Sequence, residues 1–236
     1  MTKRTLDPLT TDKFSVLTYN VGHLKNEPEE NTIIRMKMIC KILLDNLPDV
    51  VCLLDVSVLN YQYLSKLVSN KYVLFQVFIE EKDKYGEVLM CLRGSTEIPE
   101  GCQPYYYDLT IGKGRVLGTE LFIKALDLTV NILLTKLQAE EQFPLLEQVA
   151  KPLNHVILLG DFPDIDLEHD YTDAWIRMGC PSYLRNHRVS RVLWTKDTPI
   201  VPLNLALLGT ALIKKINLPA SPHLGLMATF QKKNEK

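Results

Sequence analysis

Two stretches of this chain, VVCLL at residues 50–54 and HVILL at residues 155–159, are apolar at almost every position. A strand with one face in water alternates apolar and polar residues, so a continuous apolar run demands cover on both faces. The first run stops at Asp55 and the second at Gly160 and Asp161. A third, FSVLTYN at residues 14–20, is rich in β-formers and stops at Asn20. Strands of this kind belong inside a layered sheet.

The rest of the chain supplies the cover. Ile33, Met36, Cys40, Leu43, Leu44 and Leu47 recur at helical spacing. Pro48 stops that helix. A second helix is expected over residues 59–68 and a third over 142–150. Strands are expected over 72–79, over 87–92 after a turn at 84–86, and over 188–194 and 224–230. Residues 115–137 read as two strands meeting around Leu126 and Asp127. Strands and helices mix without strict alternation, which predicts two sheets packed face to face with helices outside. No linker, internal repeat or low-complexity segment interrupts the pattern. The expected organisation is a tail over residues 1–13, one domain over 14–231, and a solvated tail over 232–236.

Composition narrows the function classes. The chain has 236 residues, 46% of them hydrophobic, which excludes a mostly disordered protein. The net charge of -1 argues against a strongly basic nucleic-acid coat protein, though not against a local basic patch. No apolar run approaches the roughly 18 residues of a membrane span, so no membrane partner is expected. The first thirteen residues lack a signal-like apolar stretch. Cys40, Cys52, Cys91, Cys102 and Cys180 are odd in number and form no CxxC pair. They predict reduced, buried thiols in an intracellular protein, cytoplasmic or nuclear, and neither a disulfide framework nor a zinc site.

Asn20, Asp55 and Asp161 end three buried strands, where they can line one rim of a sheet sandwich. The plainer reading is that each is a turn-forming strand terminator. Order and spacing add to this. LTYNV, PDVVCLLDV, VILLGDF and SPHLGLMATF, in that order, resemble the exonuclease–endonuclease–phosphatase superfamily, whose members include Mg²⁺-dependent phosphodiesterases on a four-layer α/β sandwich. The resemblance spans residues 14–230. It is nearest to the tyrosyl-DNA phosphodiesterases, on VLTYNVGHL, on PDVVCLLDV followed by NYQYLSKL, and on LNLALLG ahead of SPHLGLMATF.

The resemblance implies a cation held by an Asn and a Glu, and an Asp from a GDFN motif that orients water. It also implies a His from a closing SDH motif paired with its Asp. A His in a (T/S)HL motif and the Asn of GDFN would hold phosphate, and an Asp in a DRI-like strand would complete the set. Carried onto this chain, Asn20, Asp161 and His223 are kept, and Asp55 replaces the Glu with a shorter carboxylate. Leu54 stands for the preceding Gln. Lys136 replaces the His of (T/S)HL, Pro163 the Asn of GDFN, Ser190 the Asp of the DRI-like strand, and Pro222 the Asp before His223. The site moves by about three charge units toward positive, which weakens its hold on a divalent cation. His223 loses the carboxylate that would fix its tautomer.

These losses predict a catalytically degenerate relative, a pseudoenzyme acting as a binding or structural module. No cofactor is expected, and a protein partner is favoured over a nucleic acid or phosphate ligand. The alternative is a residual phosphodiesterase using Mg²⁺ or Mn²⁺ with Asn20, Asp55, Asp161 and His223. A third reading is phosphate binding without hydrolysis through Lys136 and Arg115, which matches an Arg of the tyrosyl-DNA phosphodiesterases but reads more plainly as a solvated turn residue. Lys136 has a further reading, in which its ammonium takes the metal's place and neutralises Asp55 or Asp161. Asp161 has a structural reading too, as a cap on the following turn. Asp164, Asp166, Glu168 and Asp170 read as a solvated loop, with ligand replacement by Asp164 as the alternative. Tyr105, Tyr106 and Tyr107 read as an edge strand with packed faces, with base stacking as the alternative. Trp175 and Trp194 read as packing residues.

Overall fold

The apolar run at residues 50–54 is covered from both sides. In the computed structural model, which describes residues 12–22, 27–77, 85–109, 114–163, 170–180 and 189–233, it forms part of β2 (Val50–Ser57). Parallel to it lies β1 (Lys13–Asn20), and the chain between them forms α1 (Glu29–Asn46). The helix closes on Leu47 in a left-handed conformation just before Pro48. After β2 come α2 (Val58–Val68), β3 (Tyr72–Val77) and β4 (Tyr85–Leu92). The Ser57 side chain accepts a hydrogen bond from the Asn60 amide, a Ser N-cap that starts α2 directly from the strand.

Next come β5 (Thr96–Glu97), β6 (Tyr105–Asp108), β7 (Arg115–Ile123), β8 (Leu128–Lys136), α3 (Phe143–Ala150) and β9 (Val156–Asp161). The chain ends with β10 (Tyr171–Asp173), α4 (Ala174–Arg177), β11 (Ser190–Thr195), β12 (Ile200–Leu208), β13 (Leu212–Ile213), β14 (Leu218–Pro219) and β15 (Gly225–Lys232). One sheet has the order β12-β15-β1-β2-β4-β3. The other has the order β10-β11-β9-β8-β7-β5, with β6 also on β7. Among the described strands, β1–β2 and β8–β9 pair in parallel.

Alternate residues of each central strand enter different cores. Val16, Val50, Cys52 and Leu54 meet Ile132, Leu134, Ile157, Leu159 and Val192 between the two sheets. Leu17, Val51 and Leu53 point the other way and pack on Met36, Ile39, Leu43 and Leu64 of the helices. Leu133 and Leu158 pack on Leu146 and Ala150 of α3. The layers therefore run helices, sheet, sheet, helix. This is the four-layer α/β sandwich the sequence predicts, and it explains why the central runs lack a polar face.

Some elements depart from expectation. β12 falls where no strand is expected, and it carries Pro202, which cannot donate to a ladder. It is an edge strand paired only with β15, and its register shifts between Pro202 and Asn204, which is where a proline is tolerated. β15 continues through Lys232, one residue into the expected tail. β6 is an edge strand, but Tyr106 and Tyr107 are 57% and 49% exposed, so its faces are not both packed. Trp175 and Trp194 are buried, Trp194 with its ring edge-on to Phe230 at 5.2 Å. All five cysteines are free, and Cys102 and Cys180 are only half-buried. Among the described residues no helix is long and apolar enough to cross a membrane. Asp164, Asp166, Glu168 and most of the N-terminal tail lie outside the described residues.

Candidate functional site

Strand register brings the candidate residues to one rim. Asn20 is level with Leu54 in the β1–β2 pair, so Asn20 and Asp55 stand on neighbouring strands at the same level of the first sheet. Lys136 is level with Asp161 in the β8–β9 pair, and Ser190 is opposite Asp161 in the β9–β11 pair. These ends meet in the gap between the sheets. A Cβ placed on Gly22 would lie 2.9 Å from Asn20 Oδ1 and 3.3 Å from Asp55 Oδ2, which fixes those two side chains beside one glycine.

Asp161 is the centre of a buried network. Its Oδ2 accepts from Asn20 Nδ2 at 2.7 Å, and its Oδ1 accepts from Ser190 Oγ at 2.7 Å. Its carbonyl accepts from the Leu137 amide at 2.9 Å. The carboxylate thus ties the two sheets together, and the turn that the sequence reading has it cap runs into residues 164–169, outside the described residues. Asn20 Oδ1 accepts from the Gly22 amide at 2.8 Å. Gly160, just before Asp161, sits at φ 143°, and a Cβ there would meet the Thr135 carbonyl oxygen at 1.8 Å. Only glycine lets β9 approach β8 this closely.

Asp55 is not a strand terminator either, since β2 runs on to Ser57. It sits at φ 57° in a bulge, where the β2–β4 register shifts between Leu53 and Val56. The bulge sets Leu54 and Asp55 against the single residue Glu87 of β4, and Leu54 stays in the inter-sheet core. Lys136 Nζ reaches across from the second sheet to Asp55 Oδ2 at 2.5 Å, with the two side chains 33% and 25% exposed.

Sequence reasoning missed Glu87. Burial pushes its carboxyl up to about 7. The Arg115 charge pulls against that rise, Asp55 adds to it, and Lys136 pulls weakly downward. Its Oε2 is buried without a hydrogen-bond partner among the described residues. The available signal was a charged residue opening an otherwise apolar strand, GEVLMCL. Arg115 stands 3.6 Å from Asp108, and its carbonyl accepts from Thr135 Oγ1 at 2.6 Å.

His223 is tied to the network through backbone. Its amide donates to Ser221 Oγ at 3.1 Å, and Ser221 Oγ donates to the Asn20 carbonyl at 2.6 Å. Pro222 offers its imidazole no carboxylate, and Pro163 offers a phosphate no amide. Arg35 braces the rim from behind. Its guanidinium donates to the Gly22 carbonyl at 3.0 Å and the Ala220 carbonyl at 3.1 Å, and it pairs with Glu27.

The resemblance read from the sequence implies a divalent cation at this rim, and the residues as placed do not fit one. Of the two implied ligands, Asn20 Oδ1 already accepts from the Gly22 amide and Asp55 already holds an ammonium. Among the described residues no three His, Cys, Asp or Glu side chains converge as a metal-binding group.

Neither a sequence-family profile nor a curated protein sequence matches the chain. Solved structures do match it. A humanized D. rerio TDP2 is 20% identical with a TM-score of 0.76, covering 94% of this chain and 100% of that one. D. rerio TDP2 complexed with single-strand DNA product is 19% identical with a TM-score of 0.76, covering 93% and 99%. The human Nocturnin catalytic domain with bound sulfate is 17% identical with a TM-score of 0.70, covering 94% of each chain. An endonuclease/exonuclease/phosphatase from Bacteroides vulgatus matches with a TM-score of 0.71 at 14% identity, over 94% of this chain and 99% of that one. The expectation drawn from the four strand-end motifs holds at the level of architecture: this chain has the exonuclease–endonuclease–phosphatase fold, and TDP2 is among its structural neighbours.

Proposed function

We propose that this protein is a binding module built on a phosphodiesterase scaffold, and that it does not hydrolyse phosphodiesters. The observation that carries the reading is the internal satisfaction of the rim. Lys136 occupies the Asp55 carboxylate that a hydrolytic site would offer to a cation, and Asn20 and Ser190 occupy the Asp161 oxygens that would orient its water. His223 also lacks the acidic neighbour that would support its charged form in proton transfer.

The favoured partner is a protein. Leu207, Leu212 and Leu224 are exposed around the end of β12, and that strand, IVPLNLALL, carries no charge. Exposed apolar surface of this kind serves contact with other macromolecules. A second reading, single-stranded nucleic acid, is supported by the exposed Tyr85, Tyr106 and Tyr107 and by the DNA held by the D. rerio neighbour. A phosphate group gripped by Lys136 and Arg115 would first have to displace Asp55 from the ammonium.

The test is a hydrolysis assay on a 5′-tyrosyl oligonucleotide, single- and double-stranded DNA, and RNA, with Mg²⁺ or Mn²⁺. No turnover above an Asp161→Ala, His223→Ala control is expected. Turnover that needs the metal and vanishes in the control would overturn the reading in favour of a residual phosphodiesterase. Fluorescence anisotropy with labelled single strands separates the partners: saturable binding selects nucleic acid, and its absence leaves the protein partner.

A further inference from the structure

We infer that Lys136 is a built-in cation, and that its ammonium is what keeps a latent divalent-cation site at Asp55 and Glu87 closed. The inference rests on the binding-module reading and goes one step further, because it assigns the closure to one side chain and names Glu87 as a second carboxylate of the same site.

Three observations converge on it. Lys136 Nζ sits 2.5 Å from Asp55 Oδ2, so a cation is already seated against the carboxylate at this rim. The bulge in β2 sets Asp55 against Glu87 of β4, and the charges of Asp55 on the first sheet and of Arg115 and Lys136 on the second all act on the Glu87 carboxyl. Glu87 Oε2 is buried and has no hydrogen-bond partner among the described residues, so one oxygen of this quartet has no donor there. A divalent ion entering it would meet a fixed ammonium at contact distance from its first ligand. Removing that ammonium leaves two carboxylates, one bonded partner short and partly shielded from water, beside Asn20 Oδ1. Oxygen donors of this kind suit a hard divalent cation.

The experiment measures Mn²⁺ binding by the loss of the free-ion electron-paramagnetic signal, with calorimetry alongside. The proteins are the full chain, Lys136→Met, Lys136→Gln, and Lys136→Met/Glu87→Gln. Circular dichroism confirms that each is folded, and Lys136→Gln keeps a donor for Asp55 should the Met variant fail to fold. The expected result is no saturable binding in the full chain, binding at least ~100-fold tighter in the charge-removed variants, and loss of that gain when Glu87 is also changed. Tight Mn²⁺ binding by the unaltered chain would overturn the binding-module reading. A folded Lys136→Met or Lys136→Gln protein that still binds nothing would overturn this inference while leaving that reading intact. Unchanged binding in the double variant would remove Glu87 from the site.

Discussion

Asn20 and Asp161 are 141 positions apart in the chain and share a buried hydrogen bond of 2.7 Å from one sheet to the other. With Ser190 on the second oxygen, Asp161 acts as the clasp between the two sheets at this rim. A buried charge is tolerable only while its bonds are made. Ser190→Ala and Asn20→Ala are each expected to destabilise by about 1–3 kcal/mol, the cost of leaving one carboxylate oxygen without a donor. Asn20→Asp should cost more, because it sets a second carboxylate against the first. Urea unfolding midpoints check the order. An Asn20→Asp protein as stable as Asn20→Ala would show that the clasp does not act through charge.

Gly160 sets how closely the two parallel strands of the second sheet approach. A side chain there would collide with backbone, the Thr135 carbonyl oxygen at 1.8 Å, and backbone cannot swing aside as a flexible side chain can. Its φ of 143° adds strain for any L side chain. Gly160→Ala is expected to destabilise by more than about 3 kcal/mol and to disturb Asp161 next to it. Gly179→Ala is the control. It also has a positive φ, but a Cβ there meets nothing within 4 Å. Equal losses at the two positions would mean that φ alone, and not the close approach, sets the requirement.

Much of this architecture was legible because burial leaves a plain mark on composition. VVCLL and HVILL have no polar face since each has a core on both sides, and the positions of Asn20, Asp55 and Asp161 followed from where such runs end, whereas His223 came from the resemblance alone. The connections among those residues were not legible. Whether Lys136 spans the gap to Asp55 depends on sheet spacing and on the bulge, and LLDV contains no Gly or Asn to announce a left-handed residue. Glu87 was hidden for the same reason, since its role exists only opposite that bulge. β12 was not among the expected strands, and its Pro202 is accommodated by edge pairing with a register shift, which only the sheet order shows.

Glu87 should mark the pH dependence of stability. Burial holds its folded-state carboxyl near 7 against an ordinary 4.5, so between those values the folded form keeps a proton the unfolded chain has released. Stability from this group is therefore complete below about pH 4.5 and is lost as pH rises toward about 7, with a limiting slope of about 1.4 kcal/mol per pH unit. Glu87→Gln removes the titration and should be flatter across that window, with its largest advantage above pH 7. Unfolding midpoints of both proteins from pH 4.5 to 8 test this. Parallel profiles would show that Glu87 is ionised in the folded protein throughout.

Arg35 links the stability of the scaffold to the order of the rim. Its side chain is 3% exposed, and its three contacts reach Glu27, the Gly22 carbonyl just after Asn20, and the Ala220 carbonyl just before Ser221 and His223. One guanidinium thus holds both loops that flank the clasp, which a lysine cannot reproduce with a single point charge. Arg35→Met leaves Glu27 buried without its partner and is expected to destabilise by about 3–5 kcal/mol. Arg35→Met/Glu27→Gln should recover part of that loss, because no charge is then stranded. Neither protein should recover the rim, since the two carbonyls still lack their donor. Hydrogen exchange at the Gly22 and His223 amides reads the rim separately from global unfolding. Faster exchange at both amides in the double variant, at a denaturant concentration where core amides of β1 and β9 remain protected, is the expected result. Exchange that tracks only the global stability would reduce Arg35 to a packing residue with no hold on the site.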